Sequence, residues 1–142
     1  MRALLVSIFA ATIAASAAQA ADVSVSGGWF RALPGTLPAG GYFTLHNASD
    51  KPVTLNAVSS PACGMLMLHR SEKNGGTGMM VDMPSIRIAP KSDLVFTPGD
   101  YHLMCMNPTA AMKPSATVPV TLDFEGGAKL IAQFAVKDAK GQ

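Results

Sequence analysis

Short runs of alternating apolar and polar residues cover the chain from Asp22 onward, and Gly, Pro, Asn and Asp interrupt them at close intervals. Alternation with a period of two is typical of half-buried strands. It predicts strands at residues 23–31, 41–46, 53–58, 65–70, 79–83, 85–88, 94–97, 101–106, 117–124 and 129–136. The last two flank residues 125–128, which suit a tight hairpin turn. No stretch combines a helical period with a cap at each end, so we expect an all-β fold, either a two-sheet sandwich or a Greek-key barrel.

The first twenty residues have the organisation of a secretory signal peptide. A positive charge at Arg2 precedes an apolar run over residues 3–15, and a small-x-small cleavage site follows at residues 18–20. The apolar run is shorter than the roughly 20 residues that a spanning helix needs. We therefore expect cleavage after Ala20, which leaves residues 21–142 as one exported domain with no membrane span. The short style of this signal suggests the bacterial periplasm.

Composition narrows the classes of function. With 14% charged and 49% hydrophobic residues, the chain is too apolar to be disordered. Eleven Lys and Arg against nine Asp and Glu give a net charge of +2 with no run of like charges, which excludes a nucleic-acid groove. The unusual residue in this composition is methionine: there are nine, and all but Met1 fall between residues 65 and 112.

Two of the three histidines lie inside this methionine-rich segment, each on a predicted strand. Residues two apart on a strand share a face, with Cα atoms about 6.6 Å apart. His102 and Met104 therefore project together, whereas Leu103 and Cys105 point toward the core. The same parity places His69 beside the two methionines that precede it. Each of two strands thus offers one imidazole with thioethers next to it.

These donors favour copper. Thioether sulfur selects Cu(I), and imidazole accepts copper in either oxidation state. Thioethers also suit an exported protein, because they neither need deprotonation nor pair into disulfides. Zinc sites use Cys, His, Asp or Glu instead. The competing interpretation is core packing, since methionine commonly fills gaps; alternation, however, places these methionines on the face opposite the leucines.

At this point the sequence resembles a known family. His69, Met80, His102 and Met104 have the spacing H-x(10)-M-x(21)-H-x-M, which is similar to the signature of the periplasmic PCuAC copper chaperones. Residues 28–32, 41–47 and 98–104 extend the resemblance over nearly all of the expected mature chain. It implies a cupredoxin-like Greek-key β-sandwich that binds Cu(I) through those four residues. It also implies delivery of copper to an accepting protein, such as a cytochrome oxidase subunit with a binuclear copper site or another copper chaperone. Cu(I) and Cu(II) both stay open as the incoming form.

Several residues near these four have other expected roles. Met79 is the rival of Met80 and has the opposite strand parity, so only one of them should face a metal. His46 ends a strand, where a structural or exposed role is expected. Cys63 and Cys105 are the only cysteines, and the sequence leaves open a disulfide or two buried thiols. Three glycines within residues 74–78 predict a mobile loop, and the site is expected to be shallow and open at one end of the sandwich.

Other functions fit less well. A blue-copper electron carrier has a cysteine followed closely by a second histidine, and no histidine follows Cys105. The chain lacks the G-x-S-x-G and H-E-x-x-H motifs, so no enzymatic activity is expected. A sandwich that binds no metal leaves the methionines unexplained. Copper tolerance or storage is the nearest alternative to delivery.

Overall fold

The computed structural model describes residues 22–74 and 77–142, so the expected signal peptide and its cleavage site lie outside the described residues. Ten strands make up the described chain: β1 (Val23–Arg31), β2 (Ala39–Asn47), β3 (Val53–Ser59), β4 (Cys63–Asn74), β5 (Thr77–Asp82), β6 (Ile86–Ile88), β7 (Ser92–Phe96), β8 (Tyr101–Pro108), β9 (Thr117–Phe124) and β10 (Lys129–Lys137). Within these residues no helix is long and apolar enough to cross a membrane.

All ten predicted strands are present, and two of them, β1 and β9, have the predicted bounds. The hairpin between β9 and β10 is also confirmed. Gly126 and Gly127 both adopt a φ of 89°, which favours glycine, and Gly127 N–H donates to the carbonyl of Phe124 over 3.1 Å. β4 and β8 are longer than predicted, and these are the strands that carry the histidines.

Hydrogen bonding joins the strands in the order β5-β4-β8-β2-β1-β10-β9-β3-β6, with β7 paired to β2. β1 and β10 are parallel, and the other described pairs are antiparallel. The sheet curls around an apolar core. The curl is seen in the ring of Phe43 on β2, which lies 5.4 Å from that of Phe134 on β10, two strands away. Phe30 and Phe96 complete this aromatic centre. The predicted cupredoxin-like all-β fold is confirmed.

A bulge in β1 sets the surface next to β8. The register between β1 and β2 shifts between Ser26 and Trp29, where Gly27 adopts a φ of 63°. Beyond the shift Trp29 pairs with Tyr42, and their ring centroids are 5.0 Å apart. The bulge thereby places an aromatic pair on the outer face of the sheet beside the strand that carries His102.

A disulfide joins the two histidine-bearing strands. Cys63 on β4 bonds to Cys105 on β8, with Cα atoms 5.4 Å apart, so of the two alternatives the sequence left open the structure has the disulfide. Cys105 is completely buried, as its strand parity predicted. The bond and the antiparallel ladder together fix β4 against β8.

Candidate metal centre

The outer face of β4 and β8 carries the predicted ligands. Three pairs lie directly opposite each other across the ladder: Met65 with Met106, Met67 with Met104, and His69 with His102. The intervening residues, Leu66, Leu68, Leu103 and Cys105, are buried and belong to the hydrophobic core. The alternation predicted from the sequence is therefore present, and the methionine face is not the core face.

The two imidazoles meet edge to face. Their ring centroids are 5.6 Å apart, and the His102 residue is only 4% exposed. Nδ1 of His102 lies 2.9 Å from the carbonyl oxygen of Asp100. Because a carbonyl only accepts, Nδ1 is the nitrogen that donates, which leaves the lone pair on Nε2. That Nε2 atom is buried and has no hydrogen-bond partner.

His69 faces a carboxylate on its other side. Asp82 lies opposite His69 on β5, and its Oδ1 is 2.6 Å from Nε2, although the pair does not have hydrogen-bond geometry. Nδ1 of His69 is buried without a partner, and the His69 side chain is 12% exposed. Buried polar atoms are usually hydrogen-bonded. Unpartnered ring nitrogens on two adjacent imidazoles therefore fit a pair of metal ligands.

Strand register distinguishes the two candidate methionines of β5. Met80 pairs with Ser71 and so shares the outer face with His69, whereas Met79 pairs with Glu72 and faces the opposite side. Met80 is 61% exposed. The predicted parity difference between the two methionines is present, and it is Met80 that lies on the histidine face.

Met80, His102 and Met104 line a single open pocket with a volume of about 480 Å³. His69 joins this group through its ladder partner His102. The structure thus brings all four predicted ligands to one region of the outer face, three of them around one opening. The opening agrees with the expected shallow site.

The far wall of the pocket includes residues to which the sequence analysis gave no role, although they lie in segments 28–32 and 41–47 of the family resemblance. Arg31 and Tyr42 line it, and the Arg31 guanidinium stacks 5.7 Å from the Tyr42 ring and 5.5 Å from that of Trp29. Nε of Arg31 is buried without a partner. Lys137 lies on the same indole, 5.0 Å from its centroid. The wall is therefore aromatic and cationic.

Two further predictions concern His46, which lies apart from the pocket, and the loop at residues 74–78, which is shorter than expected. His46 is exposed and pairs with the carboxylate of Asp93. It is four residues beyond Tyr42 on β2, about 13 Å along the strand. Of the predicted loop, Asn74, Thr77 and Gly78 belong to the paired strands β4 and β5, and residues 75–76 lie outside the described residues.

The described part of the chain offers no cluster of the side chains that usually bind harder metal ions. No group of three or more His, Cys, Asp or Glu side chains there could hold a metal ion. Both cysteines are consumed in the disulfide, so the described residues offer no thiolate. Imidazole and thioether remain as donors, and this combination suits Cu(I).

Comparison with known proteins adds family and fold. Residues 23–136 match the family model described as putative lipoprotein LpqE-like. An uncharacterized protein of Rickettsia prowazekii (strain Madrid E), RP573, is 28% identical over 97 residues, which are 67% of this chain. The chain spans about half the length of that relative, 53%.

Two solved structures share the fold. The copper-bound PCuAC domain from PmoF2 has a TM-score of 0.68 and 24% identity, over 82% of this chain and 93% of that domain. The solution structure of CuI-DR1885 from Deinococcus radiodurans has a TM-score of 0.64 and 28% identity, over 78% of this chain and 75% of that one.

Proposed function

The chain belongs to the LpqE-like family, and we propose that it is an exported copper carrier. It binds Cu(I) through His69, Met80, His102 and Met104 and transfers the ion to a copper-requiring protein. The copper-bound state of the PmoF2 domain and the Cu(I) form of the Deinococcus protein, which share its fold, support copper as the cargo.

The observation that carries the proposal is the pair of imidazoles with unsatisfied nitrogens. Three ring nitrogens of His69 and His102 are buried without a hydrogen-bond partner, on a face that also carries thioethers. Leaving a buried polar atom unpaired costs about 1–3 kcal/mol. A soft ion held by Nε2 of His102, by one nitrogen of His69 and by the neighbouring sulfurs lowers that cost.

Neighbouring groups orient His102 and place a negative charge beside His69. The Asp100 carbonyl fixes the tautomer of His102 so that Nε2 is free to bind the ion. Two imidazoles and two thioethers are neutral donors, so bound Cu(I) keeps its positive charge. The carboxylate of Asp82, next to His69, balances that charge. These neighbours do for a soft ion what outer hydrogen-bonding partners do in other metal sites.

Transfer requires one ligand that leaves easily, and Met80 suits this role. His69, His102 and Met104 lie on two strands that a disulfide joins, whereas Met80 lies on β5 and is largely exposed. An incoming donor from an accepting protein can therefore displace Met80 first. The accepting protein that we propose is a copper enzyme subunit, such as the cytochrome oxidase subunit with a binuclear copper site.

Copper storage or tolerance uses the same four ligands and differs only in the fate of the ion. An electron carrier of the blue-copper type needs a cysteine thiolate. Cys63 and Cys105 are bonded to each other, so neither can supply it. We also propose that the protein is not an enzyme and that it acts in the periplasm after residues 1–20 are removed.

Anaerobic competition for Cu(I) against a chromophoric chelator tests the ligand set. His102→Ala should weaken binding by more than about 100-fold, because outer partners of metal ligands alone are worth about 10–100-fold. His46→Ala is the matched control, since His46 is exposed and paired with Asp93, and it should leave the affinity unchanged. Equal losses from the two substitutions would contradict the proposed ligand set.

The rate of copper release to a chelator tests the role of Met80. Met80→Ala should speed release while weakening affinity less than His102→Ala does. Met79→Ala is the control, because Met79 is similarly exposed, at 53%, but lies on the opposite face of β5. An unchanged release rate in Met80→Ala would show that Met80 is not a ligand. A faster release rate in Met79→Ala would then make Met79 the ligand instead.

A further inference from the structure

Beyond the four proposed ligands, the outer face of β4 and β8 carries three more thioethers. Met67 lies opposite Met104, and the next rung of the ladder pairs Met65 with Met106. These residues continue the histidine face in the direction away from Met80, which pairs with β4 at Ser71. None of the three is needed for the proposed copper site.

Packing does not account for this second group. The core side of the same strands is filled by leucines and the disulfide, and all three methionines point to the other side. Met65 is 58% exposed, and Met67 and Met106 are half-buried but do not belong to the hydrophobic core. Methionine is a gap-filler in cores, but there is no core on this face for Met65 to fill.

The ladder brings the three sulfurs within reach of one ion. Opposed residues of an antiparallel pair have Cα atoms about 4.5–5.5 Å apart. Met65 and Met67, two apart on β4, are separated by about 6.6 Å. Methionine is unbranched and has three rotatable bonds, so side chains that start this close can turn their sulfurs toward a common point.

We propose that Met65, Met67 and Met106 form a second, all-thioether site for a soft monovalent cation, Cu(I) or Ag(I). The site disfavours harder ions because its three ligands are all thioethers. It binds more weakly than the histidine site, since exposed methionines must lose rotamer freedom to hold the ion. Met67 and Met104 share a rung, so an ion can pass between the two sites by exchange of thioethers.

Titration of the mature chain with Ag(I), followed by NMR of the methionine ε-methyl groups, tests the second site. The first equivalent should shift the signals of Met80 and Met104. The second should shift those of Met65, Met67 and Met106 while the signal of Met79 stays in place. Saturation after one equivalent, or a second equivalent that also shifts Met79, would overturn the proposal.

A double variant separates this site from the proposed copper site. Met65→Leu with Met106→Leu keeps the apolar volume and should abolish the second equivalent while the first is bound with unchanged affinity. Met79→Leu, at a similarly exposed position, should still bind two. His102→Ala should weaken the first equivalent and leave the second. Persistence of two equivalents in the double variant rejects the thioether site alone, whereas an unaffected first equivalent in His102→Ala rejects the histidine site alone.

Discussion

The disulfide between β4 and β8 should supply a large part of the stability of the fold. We consider the double variant Cys63→Ala with Cys105→Ala, in which the bond is absent and no free thiol remains. The two cysteines are 42 residues apart in the sequence. For a closed loop of that length, the chain-entropy estimate gives about 4 kcal/mol at 25 °C. For a domain of this size, such a loss lowers the melting temperature by roughly 15 °C.

Chemical denaturation of the oxidised wild type, the reduced wild type and the double variant measures this contribution. Reduction of the wild type should lower the free energy of unfolding by about the same 4 kcal/mol, and the double variant should not respond to the reductant. Thiol titration of the reduced protein provides the control, because it shows that both Cys63 and Cys105 have been released. An unchanged free energy of unfolding with both thiols titratable would refute the reasoning.

Three substitutions, with Val95→Ala as a control, test the packing of the fold, each by its free energy of unfolding. Leu103→Ala removes a fully buried side chain next to His102 and should cost about 2–5 kcal/mol, whereas Val95→Ala at an exposed position should change it by less than about 0.5 kcal/mol. Gly41→Ala should cost about 1–3 kcal/mol, because the added Cβ would lie 2.6 Å from the Phe30 ring and 2.9 Å from Cβ of Leu103. Asn47→Ala should cost about 1–3 kcal/mol, since the buried amide donates to two backbone carbonyls within 3.1 Å, and removal of the amide leaves both carbonyls without this partner. A neutral Leu103→Ala, Gly41→Ala or Asn47→Ala would contradict the contact assigned to it.

The all-β fold was predictable because alternation and turn residues are local signals. All ten strands were found, and the resemblance to the PCuAC family is confirmed. The C-terminal end of β4 was not predicted, because Ser71 to Asn74 are polar and pair with β5 beyond the core, where no apolar alternation marks a strand. Pairing partners depend on contacts that are distant in the sequence, so the disulfide too was left open.

The candidate site was likewise predictable only where neighbours within one strand are involved. Spacing within one strand predicted that His102 and Met104 share a face, since only parity is involved. The carboxylate of Asp82 beside His69 was missed, because it depends on the register between β4 and β5. Arg31 lies in the segment 28–32 that carries the family resemblance, but its place at the pocket was missed, since the bulge in β1 and the curl of the sheet bring it there. Position along the chain shows neither of these contacts.

X-ray absorption spectroscopy of the mature chain loaded with one equivalent of Cu(I) tests the central claim most directly. The account predicts nitrogen and sulfur neighbours in equal numbers, from the imidazoles of His69 and His102 and the thioethers of Met80 and Met104. His102→Ala should lose one nitrogen neighbour and keep both sulfurs. A first equivalent of copper surrounded by sulfur alone, or by nitrogen and oxygen without sulfur, would contradict the account.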